Sequence, residues 1–214
     1  MTRKSEIEAN LAAVRAQIPE HVTLICVTKT YPISDVEILQ GFGEENFGEN
    51  RTHELAEKAA AVKAIWHYQG QIQSNKLKEI ASYADVVHSL DQIRHVEKLD
   101  QLLHRQIDGF IQVSLDGGVG RGGVLPENLA EIGRAISSAR HINLVGLMAV
   151  APLNEEPNSA FARLSRIHSE FCKEFPLATS LSAGMSNDFQ SAISHGATHI
   201  RIGSQILGSR APLR

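Results

Sequence analysis

The chain has 214 residues, 43% of them hydrophobic and 21% charged, with a formal charge of -3. That length and composition fit a soluble globular protein with a substantial core, and the charge gives no general pull toward nucleic acid or an anionic membrane. Cys26 and Cys172 make no disulfide framework and no apolar run reaches the length of a membrane span, so the expectation is a cytoplasmic protein.

In chain order, apolar runs set against turn signals predict strands at 23–29, 45–49, 65–70, 85–89, 109–115, 142–150, 178–183 and 199–203. A helix at about 3–17 precedes them. Further helical patterns lie between strands at about 34–41, 51–63, 74–82, 92–105, 126–138, 158–174 and 187–195. Ser34-Asp35-Val36-Glu37 has the form of a capping box after Pro32. Pro126 fits the first turn of the helix after the glycine-rich loop, and Ser186 offers a cap before Ala192 and Ile193. Phe161, Leu164, Ile167, His168 and Phe171 recur at helical spacing, as on a face packed against a core.

Eight strands alternating with helices predict a single α/β domain over 1–214, its parallel sheet closed as a (β/α)8 TIM barrel. An open doubly wound sheet would carry a glycine-rich turn after its first strand, where Lys29-Thr30-Tyr31-Pro32 stands instead. In a (β/α)8 barrel the site lies at the C-terminal strand ends, with phosphate commonly held after strands 7 and 8. Lys29 ends strand 1. It is either a nucleophilic amine, available for Schiff-base chemistry if its proton is lost, or a lysine snorkelling at the strand's exit.

Leu181-Ser182-Ala183-Gly184-Met185-Ser186 and Arg201-Ile202-Gly203-Ser204 end strands 7 and 8. Small residues and hydroxyls there make Ser182, Gly203 and Ser204 candidates for a phosphate cup. The alternative is a pair of tight turns. Arg201 shares a strand face with Gly203. It is a cation aimed at a ligand, or the partner of Glu49 in a structural ion pair. The loop Gly117-Gly118-Val119-Gly120-Arg121-Gly122-Gly123 lacks the ending of a nucleotide P-loop, and Arg121 is either an anion contact or a solvated loop residue. His67 and His88 can face the barrel interior, with Trp66 and Tyr68 pointing to the helices. The histidine spacing shows no metal-ligand pattern.

These residues resemble the pyridoxal phosphate homeostasis protein family. The resemblance rests on Val27-Thr28-Lys29-Thr30, Phe47-Gly48-Glu49-Asn50 and Trp66-His67-Tyr68-Gln69-Gly70 with Gln73-Ser74-Asn75-Lys76. It continues through Gly146-Leu147-Met148-Ala149, the run from Leu181 to Asp188, and Arg201-Ile202-Gly203-Ser204. It implies a fold-type III barrel similar to the N-terminal domain of alanine racemase, carrying pyridoxal 5'-phosphate (PLP). By that resemblance Lys29 holds PLP as a Schiff base, Ser182, Gly203 and Ser204 contact its phosphate, and Arg201 faces its pyridine nitrogen. Asn50, His67, Met148 and Met185 match positions near the cofactor. Three residues depart from the family's pattern: Tyr31 and Arg121 where lysines are usual, and Arg51 where tyrosine is common. Tyr31 and Arg121, which replace the lysines, bear on any secondary PLP transfer site.

An arginine at the ring nitrogen makes PLP a weaker electron sink. Racemases of this fold add a tyrosine base and a second domain. Here Tyr31, Tyr68 and Tyr83 all lie early, and few residues follow the last strand before Arg214. The expectation is therefore a PLP carrier or homeostasis protein with little turnover, a monomer, its partners being PLP and PLP-dependent apoenzymes, with no nucleic acid and no membrane. The alternatives are a PLP-dependent amino-acid racemase and a Schiff-base aldolase acting on sugar phosphates without PLP.

Overall fold

The computed structural model describes residues 2–118 and 122–208, and Arg121 lies outside them. Eight strands pair in parallel: β1 (Thr23–Val27), β2 (Asn46–Glu49), β3 (Ile65–Tyr68), β4 (Val86–Leu90), β5 (Ile107–Val113), β6 (Ile142–Ala149), β7 (Ser180–Ser182) and β8 (His199–Ile202). They follow one another in sequence order around a closed barrel, with β8 returning to β1 through the register Leu24 to Ile200 and Ile25 to Arg201. Helix α1 (Arg3–Arg15) precedes the barrel. Between strands lie α2 (Ile33–Gly41), α3 (Thr52–Ala61), α4 (Leu77–Tyr83), α5 (Ile93–Leu102), α6 (Leu129–Ser137), α7 (Pro157–Glu174) and α8 (Phe189–Ser194), and α9 (Ser204–Leu207) follows β8. This is the (β/α)8 barrel expected. No helix among the described residues is long and apolar enough to cross a membrane.

Three local expectations change. The capping box at Ser34 does not form: α2 starts behind Pro32 without a side-chain cap. Asp35 instead accepts from Arg3 at 2.6 Å, joining α1 to α2. The helix begins at Ile33, so Ser34 lies inside its first turn rather than at the N-cap, where a capping hydroxyl has to stand. The patterns at 74–82 and 126–138 each open with a short 3-10 turn, Ser74–Lys76 and Pro126–Asn128. Ser186 does not cap α8, whose N-cap is Asp188; its hydroxyl is engaged elsewhere.

The main core lies between strands and helices, where Leu24, Phe47, Trp66, Ile200 and Ile202 are buried. Strand parity sends their neighbours the other way, into the barrel. Val86, Phe110 and Met148 form a small apolar cluster there. Beside them the interior is polar: His88 on β4 lies 2.9 Å from Ser182 on β7, two strands that are not neighbours in the sheet. Such a bond can only cross the inside of the barrel. Branched aliphatics dominate the interior of most such barrels, so these buried polar groups call for a role.

Candidate functional site

At the C-terminal mouth of the barrel is a cleft of about 570 Å³, lined by Val27 and Lys29 from the end of β1, by residues 150–157 after β6, by residues 185–188 after β7, and by Arg201, Gly203 and Ser204 from β8. Strand alternation places Lys29 here. Val27 and Lys29 face the cleft, whereas Thr28 between them points outward and is fully buried. Thr28 N–H donates to Gly48 O at 3.0 Å, continuing the β1–β2 ladder one residue past the strand, and Tyr31 N–H closes a turn onto Thr28 O at 3.0 Å. Lys29 is the second residue of that turn.

The far wall is built from the last two βα loops. Gly184 has φ +91°, and a Cβ there would stand 2.7 Å from both Ala192 Cβ and Phe189 Cα. Only glycine turns the chain so tightly over α8. That turn carries Ser186 to Ser204, with the two hydroxyls 3.2 Å apart and exposed. Gly203 completes the cup: a Cβ on it would meet Val27 O at 3.0 Å, so its small size keeps β8 close to β1. Two hydroxyls beside an unobstructed backbone suit an oxyanion.

Arg201 lies at the cleft's edge and is only 5% exposed. Its Nη1 donates to Ser182 Oγ at 2.7 Å and its Nη2 to Ala149 O at 2.9 Å. Glu49 is not its partner; that carboxylate is paired with Lys58 outside the barrel wall at 2.6 Å. Burial lowers the Arg201 pKa to about 10, and the charge of Asp188 partly offsets this, so the group remains a cation at neutral pH.

Behind Arg201 runs a chain of bonds with one consistent direction. A guanidinium only donates, so Ser182 accepts from Arg201. At the far end the Asn46 amide oxygen only accepts, so with both rings neutral each histidine donates from Nε2 and Ser182 gives its proton to His88 Nδ1 at 2.9 Å. His88 then donates from Nε2 to His67 Nδ1 at 2.9 Å, and His67 from Nε2 to Asn46 Oδ1 at 3.0 Å. This assigns both tautomers. Burial, with a lesser push from His199, lowers the His67 pKa to about 3. Burial first, then His67 and Arg201, lowers that of His88. Both rings are neutral, as the chain requires. Phe110 stacks on His88 with ring centroids 4.5 Å apart and fixes its plane.

The expected site residues therefore divide. Lys29, Met185, Arg201, Gly203 and Ser204 line one cleft. Ser182 is not among the residues lining the cleft. It is the last residue of β7, fully buried and pointing inward, and its hydroxyl accepts from Arg201. Ser186, two residues past Gly184, lines the cleft beside Ser204. His67 and Met148 are buried inside the barrel at 2% and 3% exposure, and Asn50 is exposed just beyond β2. None of the three lines the cleft. Among the described residues no cluster of His, Cys, Asp and Glu could hold a metal ion.

Known proteins agree with this architecture. A family model described as the alanine racemase N-terminal domain matches residues 3–211. A pyridoxal phosphate homeostasis protein of Corynebacterium glutamicum is 38% identical, covering 93% of this chain and 98% of its own. The structure of PipY from Synechococcus elongatus, with PLP bound, superposes with a TM-score of 0.86 at 33% identity, over 94% of this chain and all of that one. Alanine racemase from Corynebacterium glutamicum, at 15% identity and a TM-score of 0.78, shares the fold over 63% of its length. The chain belongs to the alanine racemase N-terminal domain family, as a member of the pyridoxal phosphate homeostasis proteins.

Proposed function

We propose that this protein binds PLP covalently through Lys29, holds it for intracellular homeostasis and delivers it to PLP-dependent apoenzymes, with little turnover of its own. The observation that carries the proposal is the convergence of Lys29, Arg201, Gly203 and Ser204 on one cleft, in a chain 33% identical to a protein whose structure holds PLP. The residues fit the group. Gly203 keeps a cradle open that a Cβ would crowd, the Ser186 and Ser204 hydroxyls meet beside it, and Arg201 offers a donor fixed by buried partners.

When bound, PLP supplies an aldehyde and an electron-accepting pyridine ring. Lys29 would be the amine that holds that aldehyde covalently. Ser186, Gly203 and Ser204 would hold the phosphate. Arg201, able to donate but not to accept, would keep the ring nitrogen unprotonated and so limit carbanion chemistry.

Holding rather than turnover is favoured by the tyrosines. Tyr31 gives its hydroxyl proton to Gly208 O at 2.6 Å, Tyr68 bonds Gln71 O and is 3% exposed, and Tyr83 sits on α4. None of them is among the residues lining the cleft, so a second base of racemase type is missing from the described residues there. The test is the absorbance spectrum of the purified protein before and after borohydride, with the adduct mapped by mass spectrometry. PLP fixed on Lys29 and lost in Lys29→Ala is expected. An adduct that survives Lys29→Ala, or enzyme-like exchange of an amino acid's α-proton in deuterated water, overturns the proposal.

A further inference from the structure

Behind Lys29, on the outer side of the barrel wall, is a buried charge cluster that the cleft does not use. Lys58 on α3 is 3% exposed and Glu49 at the end of β2 is fully buried. Lys58 Nζ lies 2.6 Å from Glu49 Oε1 and 3.4 Å from Glu54 Oε2. Taking such groups out of water costs several kcal/mol per ion, and replacing a buried pair by apolar side chains is often neutral or stabilising. Glu49 Oε2 even lacks a hydrogen-bond partner among the described residues. Stability alone gives no reason for the cluster.

Its remaining bonds supply one. Apart from an ion pair between Glu54 and Arg51 at 3.4 Å, they go to the two residues that flank Lys29. On the N-terminal side, Lys58 Nζ donates to Thr28 O at 2.7 Å, and Thr28 Oγ1 donates to Glu49 Oε1 at 2.6 Å. On the C-terminal side, Thr30 N–H donates to Glu54 Oε2 at 2.5 Å. Burial opposes ionisation of Glu54, but the Thr30 N–H, Lys58 and Arg51 outweigh it and lower its pKa, so the acceptor is a carboxylate.

Thr30 has φ +70°, and among the described residues it is the one non-glycine at positive φ. For a β-branched residue that backbone is strained by about 1–3 kcal/mol and persists only when its surroundings over-determine it. Here the surroundings are the carboxylate of Glu54 on one side and Tyr31 on the other, whose hydroxyl is anchored to Gly208.

We propose that Glu49, Lys58 and Glu54 form a clamp that positions Lys29, fixing the peptide on each side of it so that the amine is presented to the cleft in one orientation. Glu54 and Lys58 are positioning residues. The inference rests on the reading of Lys29 as the reacting amine. It goes further by locating the device that prepares the amine outside the cleft, on α3.

Two substitutions separate the hydrogen bond from the charge. Glu54→Gln keeps an acceptor at full reach and loses the charge; Glu54→Asp keeps the charge and draws the acceptor back by one methylene. Each is stripped of bound carbonyl compounds with hydroxylamine and labelled with trace acetic anhydride, and the Lys29 to Lys76 labelling ratio is read by mass spectrometry beside the thermal midpoint. Glu54→Asp is expected to lower the ratio about fivefold, the scale of one hydrogen bond, and to slow PLP capture by the same factor. Glu54→Gln is expected to stay near wild type in both.

A wild-type ratio in Glu54→Asp overturns the clamp, as does a fall confined to Glu54→Gln or an equal fall in both. Thr28→Val, which removes only the hydroxyl bond to Glu49, should move the ratio the same way by about twofold and decides the matter if Glu54→Asp does not fold. A wild-type protein whose Lys29 never takes up PLP sinks the cofactor reading and leaves the labelling ratio to judge the clamp.

Discussion

Arg201 Nη1 lies 2.7 Å from Ser182 Oγ, and this bond joins the cleft to the polar interior of the barrel. It ties Ser182, buried inside the barrel, to the arginine at the cleft. It also starts a directed chain of hydrogen bonds that passes through two neutral histidines and ends at Asn46. The predictions below follow from that chain and from the loops around it.

Ser186 and Ser204, rather than Ser182, should respond to a phosphate. Ser186→Ala and Ser204→Ala are each expected to weaken PLP binding about tenfold, the scale of a hydrogen bond to a charged group, while leaving pyridoxal, which lacks the phosphate, unaffected. Ser182→Ala should weaken both ligands alike through Arg201. Titrations of the two ligands against the three variants give the comparison; equal loss of pyridoxal in Ser204→Ala would remove that residue from the cup.

Arg201 should matter more to the ligand than to the fold. Its buried guanidinium bonds a hydroxyl and a carbonyl, and burial already pulls its pKa down to about 10. Arg201→Met removes a desolvated charge at similar volume, so the thermal midpoint should hold or rise. PLP retention should fall about tenfold, the equivalent of about 1.4 kcal/mol. A large drop in midpoint together with unchanged retention would contradict the assignment.

Acid should destabilise the barrel through its histidines. His67 titrates at about 3 in the folded protein and near 6.5 when unfolded, and burial lowers His88 and His199 as well. As pH falls below the unfolded value, the unfolded chain binds protons that the folded chain refuses, so stability drops with decreasing pH through that window. Each histidine contributes up to about 1.4 kcal/mol per pH unit. Urea denaturation at pH 7 and pH 5 should show the loss, and a His67→Gln, His88→Gln double variant should flatten it.

Gly184→Ala tests the turn that delivers Ser186. A methyl group would meet Ala192 Cβ and Phe189 Cα at 2.7 Å with φ at +91°, and steric overlap added to the φ penalty should cost about 2–3 kcal/mol. Gly43→Ala, also at positive φ but with open space around the site, should cost only the backbone part. Similar midpoints for the two variants would show that the close approach to α8 is not the cause.

The sequence by itself determined the architecture and the end of the barrel at which the cleft lies. Alternating periodicities of 2 and 3.6 are local properties, so eight strands and their helices could be read residue by residue, and with them the side of the barrel on which Lys29, Arg201 and Ser204 emerge. What only the tertiary structure decided is which neighbours those residues meet. Strand parity turns Ser182 inward and sends Ser186 to Ser204 by way of a left-handed glycine, a choice made by close packing on α8. Asp35 pairs with Arg3, 32 residues away along the chain, a partner that no local pattern records. The cluster of Glu49, Glu54 and Lys58 was illegible for the same reason. Its bonds to Thr28 and Thr30 form only when β1, β2 and α3 are brought together, and no pattern within one segment records a partner supplied by another.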